Sequence, residues 1–324
     1  MRYWWVNHKQ TARQEISGGY LWSPKREANG SRSQFYDNMR IAEPGDLVLS
    51  FSGGRIGHVG AVRDFAGPAL KPMGFGETGA NWSDDGWLLP VTWQRLPRAV
   101  RPKDRIAELG PLLPAKYSPI NPQTGNGNQK AYLAEIGKAA FDQILSNDRQ
   151  VIAEVWSSAE MNEPLEAFDD AVQDQLTSDP GLDSTTKQQL VLARQGQGLF
   201  RARVNAIEKA CRLTSVSNPR LLVASHIKPW RVCKTAAERL DGANGLLLTP
   251  HVDRLFDRGL ITFTQAGEVM ISPRLDPQDV QRLGLQDACA RNCGEFNERQ
   301  AEYLKFHKEN VFLAKWSEMR PGPK

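Results

Sequence analysis

The segment Ala224-Ser225-His226-Ile227-Lys228-Pro229-Trp230 is followed by Asn244-Gly245 and then by His251-Val252-Asp253-Arg254-Leu255-Phe256-Asp257. An imidazole, an amide and a cluster of imidazole and carboxylate groups therefore follow one another within about thirty residues. An imidazole with its ordinary pKa near 6.5 exchanges protons at neutral pH and can serve as a base toward water. Carboxylates and a second imidazole can hold one divalent ion. A hard cation such as Mg²⁺ or Mn²⁺ prefers oxygen ligands and keeps several waters. Base and cation together are the minimal equipment for hydrolysing a phosphodiester, because the cation neutralises charge on the phosphorane and on the leaving 3′ oxygen.

These residues need a scaffold, and the flanking pattern supplies one. Leu221–Ala224 reads as a short strand running into His226, Leu246–Thr249 as a second strand, and His251–Arg258 as the start of a helix. Ile261–Phe263 and Glu268–Ile271 read as a hairpin, and Ala301–Phe312 as a closing helix. Phe200, Val204 and Ile207 give Arg194–Ala210 helical spacing.

The first 115 residues read as mostly β. Tyr3–Asn7, Leu47–Phe51, Gly57–Val62 and Trp87–Trp93 are short runs rich in β-branched or aromatic residues, separated by Gly, Pro, Asn and Asp. Ser33–Met39 begins a helix. Asn128–Gln143 carries three- and four-residue apolar steps and reads as another.

Charge divides the chain into three. Residues 1–145 hold 18 Lys+Arg against 13 Asp+Glu, residues 146–193 hold 2 against 10, and residues 194–324 hold 21 against 14. Two basic segments flank an acidic one, which suits a polyanionic partner as well as it suits ordinary solvated charge. The expected organisation is an N-terminal domain over 1–145, an acidic helical connector over 146–193 and a C-terminal domain over 194–324. No apolar run approaches the eighteen residues of a membrane span. Met1–Val6 lacks a signal core, which predicts a cytoplasmic protein. Four cysteines in 324 residues suggest reduced thiols rather than a disulfide framework.

The blocks LVASHIKPW and RLDGANGLLLTPHVDRLFDRGLITF resemble the HNH (ββα-metal) nuclease family, in the branch found in restriction endonucleases, over roughly residues 195–272. The resemblance implies that His226 is the general base and that Asn244 holds the His-bearing strand. The family's helix usually supplies a His to the metal; nine residues past Asn244 this chain has Asp253 instead, with His251 two residues earlier. Asp253 and His251 are therefore expected near one Mg²⁺ or Mn²⁺, with Asp257 as a further ligand or helix anchor. Lys228, Arg239, Arg254 and Arg258 are candidate phosphate contacts, against the plain alternative of solvated charge. Relatives with a structural zinc use two CxxC pairs; Thr249 and Val252 stand at the helix positions here, so that zinc is not expected. Cys289 and Cys293 with Cys211 or Cys233 are an alternative set, weighed against small buried thiols.

The blocks YWWVNHKQT, GGYLWSPK, PGDLVLSF, GHVGAV and NWSDDGWLLPVTW resemble the EVE domain of the PUA-like group, over about residues 1–140. The implied fold is a curved β-barrel with helices, so the chain as a whole is α+β. The implied function is to read one flipped base. Trp22 and Trp82 are expected to form walls for that base, with Ser23, Asp37 and Asn38 reading its edge. Trp4, Trp5, Trp87 and Trp93 are expected in the core.

A modified-base reader joined to an HNH nuclease resembles a modification-dependent restriction endonuclease. The expectation is a dimeric, membrane-independent enzyme cutting double-stranded DNA that carries 5-methylcytosine or 5-hydroxymethylcytosine. The rivals are an HNH nickase or general nuclease reading modified RNA, and a non-catalytic binder.

Overall fold

The β1 run Tyr3–Asn7 is apolar without alternation because it is buried on both faces of a sheet. Trp4 and Val6 join a cluster with Leu21, Val48 and Leu89, while Trp5 joins another with Leu49, Val59 and Ile136. The computed structural model describes residues 1–145, 151, 154–155 and 164–314. Parts of the expected connector, at 146–150, 152–153 and 156–163, lie outside the described residues.

Two compact units are present, Met1–Phe168 and Asp169–Lys324. In the first, one mixed sheet runs in the order β2-β6-β4-β3-β1-β7, with β5 also on β6. The strands are β2 (Tyr20–Pro24), β3 (Leu47–Ser52), β4 (Arg55–Val62), β5 (Gly67–Leu70), β6 (Asp85–Val100) and β7 (Leu133–Ile136). β1 and β3 are parallel and the other pairs antiparallel. The sheet curls because the sixteen-residue β6 pairs with β2 and β5 along its first part and with β4 along its second. A curved sheet with helices is the architecture expected for this unit. Helices α1 (Ala12–Gly18), α2 (Gln34–Ile41), α3 (Ile106–Leu109) and α4 (Lys138–Ile144) complete the unit.

The expected helix over Asn128–Gln143 is a correction. Its first half is β7, which pairs with Tyr3–Val6. Gly137 then caps the shorter α4. Tertiary pairing with the apolar β1 outweighs the local spacing.

The second unit begins with α5 (Pro164–Ser178), of which Asp169 onward belongs to it, and α6 (Ser184–Arg194). Val172, Leu176, Leu190 and Ala193 pack into the same core as Phe200, Leu246 and Phe256. The acidic stretch is thus solvated on one side and part of the second unit's core on the other. α7 (Gly198–Ile207) starts at Gly198, which like Gly196 lies at positive φ, and these two glycines break the helix expected from Arg194. Next come β8 (Val223–His226), α8 (Ala236–Arg239), β9 (Gly245–Leu248) and α9 (Pro250–Asp257). The hairpin β10 (Ile261–Phe263) and β11 (Val269–Ile271) follows, then α10 (Pro277–Arg282), α11 (Gln286–Ala290) and α12 (Glu298–Asn310). A capping box from Asn297 and Gln300 starts α12. Among the described residues no helix is long and apolar enough to cross a membrane.

Candidate active site and base-reading site

β8 and β9 pair antiparallel with His226 opposite Gly245, and α9 follows directly. The strand–strand–helix order brings the base candidate, the amide and the helix carboxylates into one unit. Gly245 is required by packing. A Cβ there would lie 2.3 Å from Val204 Cγ2 and 2.9 Å from Phe200 Cζ.

His226 is half-buried. Its ring stacks on Phe200, centroids 3.8 Å apart and planes 2° from parallel. Its Nε2 lies 2.9 Å from the Arg239 carbonyl oxygen. A carbonyl only accepts, so Nε2 carries the proton and Nδ1 keeps its lone pair. Burial pulls the imidazole down to about 4; the bond to the Arg239 carbonyl opposes the shift and the Arg239 charge adds to it. The ring is therefore neutral at physiological pH and ready to take a proton.

Asn244 is fully buried and spends its side chain on the loop that follows β8. Its Oδ1 accepts from Lys228 N at 2.7 Å, and its Nδ2 donates to the carbonyls of Lys228 and Glu238, each at 3.2 Å. It also lies 3.4 Å from Cys233 Sγ. Asn244 thus clamps the chain two residues beyond His226, as well as the stretch that presents the Arg239 carbonyl.

On α9, Asp253 and Asp257 are one helical turn apart and share a face. Ser225 Oγ donates to Asp257 Oδ1 at 3.2 Å. Asp253 Oδ1 is buried with no hydrogen-bond partner. Burial first, then the Asp253 charge, pushes Asp257 up to about 7. Solvent still reaches Asp257. Asp253 is also raised, chiefly by burial. Two carboxylates that disfavour their own charges, one with an orphaned oxygen, fit a hard divalent cation. His251 is two residues from Asp253, about 200° around the helix, so the helix does not bring it to that face. Among the described residues no cluster of three or more His, Cys, Asp or Glu side chains is arranged to hold a metal.

The cationic candidates divide. Lys228 Nζ is ion-paired with Glu238 at 2.9 Å, and Arg239 is buried with its guanidinium over Trp230. Arg254 is exposed and lies in the field of Asp253. Arg258 is half-buried, and burial lowers it. Sequence reading gave no site role to Phe200, Ser225 or Arg231. Arg231 pairs with Asp169 at 3.5 Å and lowers Asp257. Ser225 had a signal, being adjacent to the candidate base; Asp169 had none beyond general acidity.

From behind, α12 holds α9. His307 is buried, stacks on Phe256 at 3.9 Å and 3°, donates Nε2–H to the Phe256 carbonyl at 3.0 Å and accepts from Thr262 Oγ1 at 2.9 Å. Cys211 and Cys233 are buried, and Cys211 Sγ lies 4.0 Å from Thr249 Oγ1.

In the first unit Trp22 and Trp82 lie 26° from parallel with centroids 6.3 Å apart, and Phe75 meets both edge-on. Trp22 is buried and Trp82 half-buried. Trp82 lines a recess of about 410 Å³ with Lys9, Gln10 and the 77–81 loop. Gly79 lies at φ +73, and a Cβ there would sit 2.3 Å from the Trp82 ring, so glycine lets the loop lie on the indole. Ser23 is buried with its Oγ unpartnered. Asp37 is ion-paired with Arg32 at 3.0 Å. Asn38 is buried, donates to the Leu133 carbonyl and accepts from Gln34, so its amide ties α2 to β7. Trp4 and Trp5 are fully buried, and Trp87 and Trp93 pack partly buried against the core.

Residues 211–264 match the HNH endonuclease family model, and this match makes the second unit a metal-dependent nuclease. The first unit is similar to several solved structures. One is human THYN1 protein in complex with 5-methylcytosine-containing DNA, with 12% identity over 46% of this chain and 98% of that one and a TM-score of 0.30. Another is the YTH domain of Zygosaccharomyces rouxii MRB1 with N6-methyladenosine RNA, with 16% identity over 45% and 84% and a TM-score of 0.29. A structural-genomics protein from Agrobacterium tumefaciens gives 17% identity over 45% and 92%, with a TM-score of 0.28. No curated protein matches the chain.

Proposed function

We propose that this chain is a modification-dependent DNA endonuclease of the bacterial cytoplasm, active as a homodimer, that restricts phage DNA carrying 5-methylcytosine or 5-hydroxymethylcytosine. The observation that carries the nuclease half is the fixed His226 tautomer, in a strand–strand–helix unit whose helix carries Asp253 and Asp257. Trp82, which lines a recess and is backed by the buried Trp22, supports the reading of an unstacked base.

Asp253 and Asp257 would hold one Mg²⁺ or Mn²⁺, which supplies charge neutralisation on the phosphorane and the leaving oxygen. His226 Nδ1 takes a proton from a water molecule while that water's oxygen bonds to phosphorus. The P–O3′ bond breaks, leaving a 5′-phosphate, and the departing 3′ oxygen takes up a proton from solvent. Phe200 and the Arg239 carbonyl keep the imidazole from rotating, so the lone pair stays aimed throughout. An arriving phosphate brings negative charge, which raises the proton affinity of the imidazole at the moment it acts as a base.

The test is digestion of one plasmid in three forms, unmodified, 5-methylcytosine-substituted and 5-hydroxymethylcytosine-substituted, with Mg²⁺, Mn²⁺ or EDTA. Cleavage confined to a modified form and abolished by EDTA and by His226→Ala is expected. Equal cleavage of all three forms would remove the reader from the proposal.

A further inference from the structure

The recess between α1 and the β3–β4 hairpin is separate from the Trp82 recess and has a volume of about 500 Å³, within the range of small-ligand pockets. Ile16 and Gly57 give it an apolar floor, Arg13 and Arg55 stand at its exposed rim, and Ser50 and His58 line its inner side. No carboxylate lines it. Neither Arg13 nor Arg55 is ion-paired among the described residues, and Arg95 stands opposite His58 on the next strand. The positions are fixed. Gly53 and Gly54, both at positive φ, make a two-residue turn that sets Arg55 opposite Ser52. Gly57 is the extra residue of a β-bulge, since the β3 register steps from Ser50–His58 to Phe51–Ile56. Bulges of this kind recur next to binding sites. A Cβ on Gly57 would meet nothing within 4 Å, and its backbone is not in the left-handed region, so the space above it is open.

We infer that this recess is a second nucleotide subsite, holding the nucleotide that flanks the extruded base, with its phosphate between Arg13 and Arg55 and its sugar and base edge over Ile16 and Gly57. Unpaired cations at the rim of an apolar floor match a group that is anionic at one end and flat and apolar at the other. The inference rests on the reading of this unit as a DNA binder, although the recess and the Trp22–Trp82 pair are tested by different residues.

The full chain is titrated by fluorescence anisotropy against a 20-base-pair duplex with one 5-methylcytosine, and against duplexes in which single flanking phosphates are replaced by neutral methylphosphonate. One neutral substitution is expected to weaken wild-type binding several-fold. Arg13→Ala with Arg55→Ala is expected to erase that sensitivity and to flatten the log–log salt dependence of binding by about two. Gly57→Leu, which fills open space, is expected to weaken binding about tenfold, while hydrolysis of bis(4-nitrophenyl) phosphate and the unfolding temperature stay at wild-type values. If modified DNA is preferred but both variants bind it like wild type, the subsite is wrong and the reader stands. If the variants weaken binding but wild type shows no preference for the modified duplex, the subsite stands and the reader falls. If wild type binds no DNA, both fall.

Discussion

The imidazole of His226 and the ring of Phe200 lie face to face, 3.8 Å between centroids and 2° from parallel. Together with the Arg239 carbonyl this removes both rotations by which the ring could turn its lone pair away from water. Phe200→Leu keeps an apolar side chain but loses the plane. We expect kcat to fall by about tenfold or more with KM nearly unchanged, because positioning acts on the chemical step. Phe200→Ala adds a cavity cost of about 3–5 kcal/mol, read as a lower unfolding midpoint. A change confined to KM would remove the positioning role.

The depressed His226 value sets two pH dependences. The neutral ring is the working form, so the acid limb of the rate profile lies well below the ordinary histidine range, toward the value of about 4. The folded value lies below the unfolded value of about 6.5. The unfolded chain therefore binds this proton more tightly. The stability linked to the group is full above pH about 6.5 and is lost as pH falls toward 4, by up to about 1.4 kcal/mol per pH unit. His226→Gln is expected to remove that slope from the denaturant midpoint measured between pH 6.5 and 4. An unchanged slope in the variant would contradict the buried neutral ring.

The order of the candidate residues is legible in the sequence because it is local. His226, Asn244 and Asp253 sit on successive elements whose ends are marked by Pro229, by Asn244-Gly245 and by Pro250, so placing them in one unit needs no long-range pairing. What was not legible came from distant segments. Phe200 lies more than twenty residues before His226, and its role depends on Gly245 leaving room for it. Asp169 read as one more charge in an acidic stretch, yet it pairs with Arg231 across sixty-two residues. In the first unit β7 resembled a helix because its apolar spacing is decided by β1, more than a hundred residues away. Asn38, legible only as a polar residue near a pocket motif, is committed to the fold by a bond to the Leu133 carbonyl ninety-five residues on.

The Asp253–Asp257 pair predicts a link between metal and pH. Asp257 is raised to about 7, above its unfolded carboxylate value. Its contribution to stability is present below pH about 4 and lost as pH rises through 7, because the folded state resists the second charge. A divalent cation reverses that penalty. Mg²⁺ or Mn²⁺ is therefore expected to raise the unfolding temperature more at pH 8 than at pH 5.5, with proton release on binding near pH 6. Asp253→Asn with Asp257→Asn is expected to stabilise the metal-free protein at pH 8 and to abolish both the metal response and cleavage. A full metal response in the double variant would move the ion to other residues.

Asn244 predicts a separation of two bond types. Asn244→Asp keeps the acceptor for Lys228 N and loses the donors to the Lys228 and Glu238 carbonyls, whereas Asn244→Ala loses all of them. A buried group left unpartnered costs about 1–3 kcal/mol. Asn244→Ala is expected to lower stability by about 3 kcal/mol or more in urea unfolding and to reduce kcat at least a hundredfold as the loop presenting the Arg239 carbonyl loosens. Lys228→Ala should be milder, since its ammonium is paired with Glu238 at the surface side of the same loop. Equal loss in the two would place the effect in the ion pair rather than in the amide.

The two tryptophans of the first unit should respond unequally. Trp22 is 1% exposed and donates to the Ala69 carbonyl at 3.3 Å, while Gly86 lies against its ring. Its replacement by Ala removes a core side chain and is expected to cost about 3–5 kcal/mol, so a loss of binding there says little about recognition. Trp82 is half-buried on a loop and faces the recess. Trp82→Ala is expected to leave the unfolding temperature within a few degrees of wild type. It should cost about 1–3 kcal/mol of binding to the modified duplex, the usual worth of one base–aromatic stack. Hydrolysis of bis(4-nitrophenyl) phosphate, which needs no reader, should be unchanged. Trp82→Phe, which keeps a smaller flat face, should recover part of the lost affinity. If Trp82→Ala binds modified and unmodified duplexes with wild-type affinities, the indole is packing for the loop and the base is read elsewhere.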